Sequence, residues 1–277
     1  MPHRPAPQRP PADSPATVGG EVFRRRYADS LRERGYARGL VARTAAAFGI
    51  CLLIGAGLSQ LPEAVRTAVI EEGGPVESAS GVLYLLLAAG LAATALRRGL
   101  DGEPSRSPGV VDPLLAGGCA AVLAARESDW HNAWTTMGVL KTRFYLSPEV
   151  PAVEKAAAAA VLAAVGVLLA ATAWRCGRPL ADRLRASEPA AWLTAVGIWL
   201  LPLSKAMDSL PGILKKSVGG LPPAAAATFR ATEEVAELAA PAMLAAALAA
   251  SVAGASRRKD VREPASAAKA RPVRRAA

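Results

Sequence analysis

Residues 125–145 read Ala125-Arg126-Glu127-Ser128-Asp129-Trp130-His131-Asn132-Ala133-Trp134, and end in Lys141-Thr142-Arg143-Phe144-Tyr145. The charges and the one histidine of the chain interior follow directly on an apolar segment that begins near Pro113. Arg126 stands thirteen residues beyond Pro113, a rise of about 20 Å in an α-helix, and His131 stands at about 27 Å. A hydrocarbon core is about 30 Å thick. If the segment is a membrane helix, this stretch is therefore a charged layer inside the bilayer. If it is not, the stretch is an ordinary solvated loop.

The rest of the chain decides between the two. It has 277 residues and is 52% hydrophobic, with 5% aromatic residues. Its mean hydropathy is +0.23. Soluble domains are about 45–50% apolar, so the total discriminates little. The distribution does discriminate, because the apolar residues gather in six blocks: 44–61, 76–96, 113–133, 156–174, 190–207 and 235–256. Each has the length a membrane-crossing helix needs. In lipid the backbone must satisfy its own hydrogen bonds, which alanine-rich runs do as helices. The expected fold is all-α, a polytopic bundle of six transmembrane helices.

Charge sets the expected orientation. With the N-terminus placed inside, 24 of the 33 Lys and Arg fall on the inner side, and the net charge is +13 inside against −3 outside. The positive-inside rule then puts both termini in the cytoplasm. A total of +10 also fits a nucleic-acid binder, but its placement beside apolar blocks argues against that partner and for membrane lipids. Cys51, Cys119 and Cys176 are odd in number and lie in or at the inner end of spans, so they read as packing residues rather than a disulfide framework. The first 43 residues are polar and Arg-rich without an early apolar core, which points to an uncleaved anchor rather than a signal peptide.

Four regions follow. Residues 1–20 are Pro/Ala-rich and expected to be disordered. Residues 21–43 form a basic juxtamembrane segment, with Phe23, Tyr27 and Leu31 at helical spacing among arginines. Residues 44–256 hold the six helices, and residues 257–277 are a second basic, disordered tail. Within the membrane domain, Asp112-Pro113 reads as an N-cap and first helical position. The stretch 132–147 reads as a short interfacial piece, and Trp130, Trp134, Phe144 and Tyr145 as an outer aromatic belt.

Depth arithmetic collects further charges at the level of Arg126. Counted from Pro189, Lys205 lies about 24 Å up its helix and Asp208 about 28 Å. Counted back from Ser256, Glu237 lies near 28 Å, with Glu233 about one turn further out. Glu77, just after Pro75, sits in the first turn of the second span. The candidate polar cluster is thus Glu77, Arg126, Glu127, Asp129, His131, Lys205, Asp208, Glu233 and Glu237. Ionisable groups at such depth are costly unless paired or hydrated. Three readings stay open. Arg126 with Asp129, and Lys205 with Asp208 or Glu237, would be ion pairs that fix helix packing. Alternatively, Glu127 and His131, four residues apart on one helical face, would titrate in a site for a cation, a proton or a polar headgroup. The third is a membrane-embedded metal-dependent hydrolase using Glu127 and His131 with a carboxylate from Glu77 or Glu237. Only His3 and His131 are present, and no metalloprotease, nucleophile-elbow or phosphate-loop motif appears. No cofactor and no catalytic residue are assigned.

Gly74-Pro75-Val76-Glu77 opening one span, Arg126-Glu127-x-Asp129-Trp130-His131 closing the next, and Glu233-Glu234-x-x-Glu237 opening the last form a pattern. Over residues 44–256 it resembles a group of uncharacterised multi-span bacterial inner-membrane proteins. The resemblance implies location in the bacterial inner membrane and carries no activity. Alanine and arginine richness points to a high-GC genome.

Overall fold

A computed structural model of the chain describes residues 15–70, 74–100 and 110–269, without the side chains of 15–34, 36, 131, 218 and 255–269. The described elements are helical: α1 (Pro15–Ser59), α2 (Glu63–Ile70), α3 (Pro75–Leu100), α4 (Val111–Glu127), a 3-10 turn (Trp130–Ala133), α5 (Thr142–Leu146), α6 (Ala152–Arg185), α7 (Pro189–Val218) and α8 (Pro223–Lys269). Of the tails expected at 1–20 and 257–277, residues 1–14 and 270–277 lie outside the described residues.

Five segments among the described residues are long and apolar enough to cross a membrane: Ala37–Ser59, Glu63–Leu100, Ala152–Arg185, Pro189–Ser217 and Pro223–Gly254. By helix length and hydropathy the chain is a multi-pass membrane protein. The third block departs from expectation. Its helix has 17 residues rather than the 21 of block 113–133, giving about 25 Å of rise. It stops at Glu127, where the Ser128 amide still donates to the Ala124 carbonyl and the Asp129 amide closes a tighter turn onto the Arg126 carbonyl, each at 3.0 Å. Asp129 then takes a left-handed conformation at φ 45°, one that Asp tolerates better than most residues. At its other end the helix begins at Val111 with Val110 as N-cap. Asp112 does not cap but pairs with Arg175 of α6 at 2.7 Å.

Although short, α4 accompanies α3 along most of its length. A Cβ on Gly99 would meet Val110, one on Gly117 would meet Ala88 and Leu91, and one on Gly81 would meet the Cβ of Glu127 at 3.6 Å. From Gly99 back to Gly81 is about 27 Å of helix. The two helices are therefore antiparallel neighbours over nearly the same span.

The other differences are extensions. Polar residues expected in connections continue the helices: α6 runs through Pro179 to Arg185 and α7 through Pro202 and Pro211 to Val218. The stretch expected as a short first connection carries α2.

Helix α8 is the hub, packing against α1, α3 and α7. Ala231, Thr232, Ala236 and Ala240 are wholly or almost wholly buried along it. Small side chains let backbones approach, which is how membrane helices gain van der Waals contact without a hydrophobic drive between them. The closest approach is at Gly55 of α1, where a Cβ would stand 2.5 Å from the Thr232 hydroxyl and 2.7 Å from its backbone nitrogen. Cys51, Leu200, Ala236 and Ala240 form one core, and Tyr84, Leu87, Ala120 and Ala124 form another, which Leu201, Leu244 and Leu248 join to α7 and α8. All three cysteines are free.

Outward, large apolar side chains such as Leu53, Leu86, Leu96, Val167 and Trp174 stay exposed. In a membrane they contact lipid chains. The segment after α4 is more ordered than an interfacial strip. Phe144 is fully buried with Val139, Val150 and Ala158, so it is core rather than belt. Glu154 at the start of α6 accepts hydrogen bonds from the Thr136 amide at 2.6 Å and its hydroxyl at 3.1 Å, and Lys155 donates to the Ser147 carbonyl. At the opposite end of the bundle Arg43 lies 3.8 Å over the Trp192 ring.

Candidate functional site

The described site is built where α3, α4 and α8 meet. Arg126, in the last turn of α4, donates from Nη1 to Glu127 Oε1 at 3.1 Å and from Nη2 to Glu237 Oε1 of α8 at 2.8 Å. The other Glu127 oxygen, Oε2, accepts from the Ser80 hydroxyl of α3 at 3.1 Å. One guanidinium thus spans two carboxylates on different helices, each held by a separate nitrogen of its planar fork. The carboxylates are the inner members: the Glu127 side chain is 4% exposed and Glu237 13%, against 38% for Arg126.

Three of the nine expected residues therefore meet directly: Arg126, Glu127 and Glu237. Lys205 pairs with Asp208 one turn away on α7, as expected for that couple, and both are exposed. Glu233 lies within electrostatic reach of Asp208, Glu237 and Lys205. Glu234, its neighbour on α8, is in reach of Glu237, Glu77 and Arg230. Glu77 is likewise in reach of Glu127.

Two expected partnerships take another form. Arg126 reaches Glu127 and Glu237, while its carbonyl accepts the Asp129 amide at 3.0 Å in the turn that ends α4. Because the helix stops at Glu127, Glu127 and His131 are not successive positions on one helical face. The His131 side chain lies outside the described residues, as does His3.

Glu77, Ser78, Gly81, Val82 and Leu85 of α3 line an open groove of ≈ 430 Å³ together with Glu127, Ser128 and Asp129. It is acidic at the helix ends and apolar lower down, where Val82 and Leu85 are exposed. Among the described residues no group of three or more His, Cys, Asp or Glu is arranged to hold a metal ion. The His131 side chain, which the hydrolase reading uses, is not among them.

Two polar residues beside the charges were not singled out from the sequence, Ser80 and Tyr84. Each is 1% exposed. Their signal was present as helical spacing, since Glu77, Ser80 and Tyr84 are i, i+3 and i+7 on one face of α3.

No protein-family model, curated protein or solved structure matches the chain. The resemblance to bacterial inner-membrane proteins is met at the level of architecture, a multi-helix chain with five candidate spans, and no family is identified.

Proposed function

We propose that the chain is an integral protein of the bacterial inner membrane, with six crossings and both termini in the cytoplasm. Its carboxylates around Arg126, in the outer third of the bilayer, would bind a small cation, a proton or a polar headgroup from the periplasmic side. The path of α4 beside α3 supports counting it as the sixth crossing, and the positive-inside charge bias supports the orientation.

The observation that carries the site is the sharing of Arg126 between Glu127 and Glu237. One positive charge faces two buried carboxylates, and excess charge in a low-dielectric interior requires a counter-charge. A second reading is favoured by the same bond: the pair ties α4 to α8 and is structural only.

Tryptophan fluorescence of the purified protein separates the two. Titration with protons, sodium, magnesium or vesicles of amine-bearing lipid is expected to give a saturable change that Glu237→Gln removes while helicity is kept. A folded wild-type protein that responds to none of these supports the structural reading and overturns the site.

A further inference from the structure

The Tyr84 hydroxyl is the feature that the ion pairs leave unexplained. Tyr84 is 1% exposed and its oxygen has no hydrogen-bond partner among the described residues. An unsatisfied buried hydroxyl costs about 1–3 kcal/mol, and such groups in folded proteins are usually answered by an internal water. Its position is specific. Tyr84 lies one turn beyond Ser80, whose hydroxyl already reaches Glu127, and the charged groups in its electrostatic reach are Glu127, Arg126 and Glu237.

We infer that a hydrated proton-binding site lies between the Tyr84 hydroxyl and the Arg126, Glu127 and Glu237 side chains. One proton is held by the two carboxylates, and a water molecule seated on Tyr84 completes the hydrogen bonding. The inference rests on the proposed cation-or-proton site and names its occupant.

Charge balance supports it. Glu77 and Tyr84 come from α3, Arg126 and Glu127 from α4, Lys205 and Asp208 from α7, and Arg230, Glu233, Glu234 and Glu237 from α8; Cys51 of α1 clusters with Ala236 and Ala240 of α8. Among these described groups six carboxylates stand beside three cations, and Lys205 pairs with Asp208. A phenol both donates and accepts, so one water can accept from Tyr84 and donate to a carboxylate, or accept from a carboxylic acid. The groove beside Ser78, Ser128 and Asp129 reaches Glu127 and offers water and protons a way in.

Infrared spectroscopy of the full chain in lipid nanodiscs, with glutamate carboxyls isotope-labelled, reads the proton directly. The wild type at neutral pH is expected to show a protonated-carboxyl C=O band that shifts in D2O, is lost in Glu127→Gln or Glu237→Gln, and moves in Tyr84→Phe. The Tyr84→Phe chain keeps the ring and its packing, so it tests the site even if a glutamate variant fails to fold. Absence of the band at neutral pH, its persistence in both glutamine variants, or an unchanged spectrum in Tyr84→Phe overturns the inference. If the band is absent but sodium or magnesium still gives a saturable fluorescence change, the cation reading stands and only the proton falls. If neither is seen, both fall.

Discussion

At the scale of single residues, Arg126 has the most at stake. Removing one partner of a buried ion pair costs about 3–5 kcal/mol because the other charge is left uncompensated. Arg126→Ala leaves two carboxylates facing each other, so a loss of that order is expected in thermal unfolding in detergent. Arg126→Lys should recover only part of it, since a single ammonium nitrogen lacks the reach of two separate guanidinium nitrogens, each of which holds one carboxylate. A wild-type melting temperature in Arg126→Ala would show that the pair contributes nothing. Gly55 gives a sharper test with its own control. A Cβ there meets the backbone of Thr232, which cannot yield, whereas one on Gly57 meets nothing within 4 Å. Gly55→Ala should cost about 1–3 kcal/mol by overpacking. Gly57→Ala should be neutral or slightly stabilising through helix propensity. Arg126, Glu127 and Glu237 were legible in the sequence because a charge at a counted depth stands out in apolar surroundings. Ser80 and Tyr84 were not, because an uncharged polar residue in a span has many ordinary roles. Asp129 lies beyond the end of α4, where helical spacing from Arg126 no longer applies.

At the scale of elements, the end of α4 matters most. The helix ends six residues before the expected block does, at a turn in which Asp129 is left-handed. Hydropathy marks where a chain is apolar, not where its backbone turns, so the apolar blocks were readable and their ends were not. The same holds for α6 and α7, whose charged last turns extend beyond the apolar blocks. Orientation is open to direct measurement. A cytoplasm-active reporter fused after residue 105 should be active, and the same reporter after Gly220 should be silent. Activity at both would mean that α4 returns without crossing. The loop before α6 makes another prediction: Phe144→Ala empties a fully buried site and should cost about 3–5 kcal/mol by cavity formation. Proteolysis would read this as faster cleavage between Trp134 and Pro148, with the five long helices intact.

At the scale of the whole molecule, the bundle is asymmetric. Helices α1, α3, α7 and α8 close around small residues. By contrast α6 leaves Val153, Val161, Val167, Leu169 and Trp174 exposed along its length. Polar bonds fasten it to the rest of the chain at its start, Glu154 to Thr136 and Lys155 to Ser147, and past its midpoint, Thr172 to Cys119 and Arg175 to Asp112. The multi-pass architecture was legible because six apolar stretches leave little alternative, whereas this uneven packing was not, because alanine-rich helices look alike whether they face a neighbour or a lipid tail. A rod moored at its start and again past its midpoint shifts as one piece. If the surrounding lipid is replaced by a thinner one, any tilt of α6 must draw Asp112 at one mooring and Thr136 at the other along with it. Strain sensed by the acyl chains would thereby arrive at the start of the short helix that carries Arg126 and in the segment that follows it.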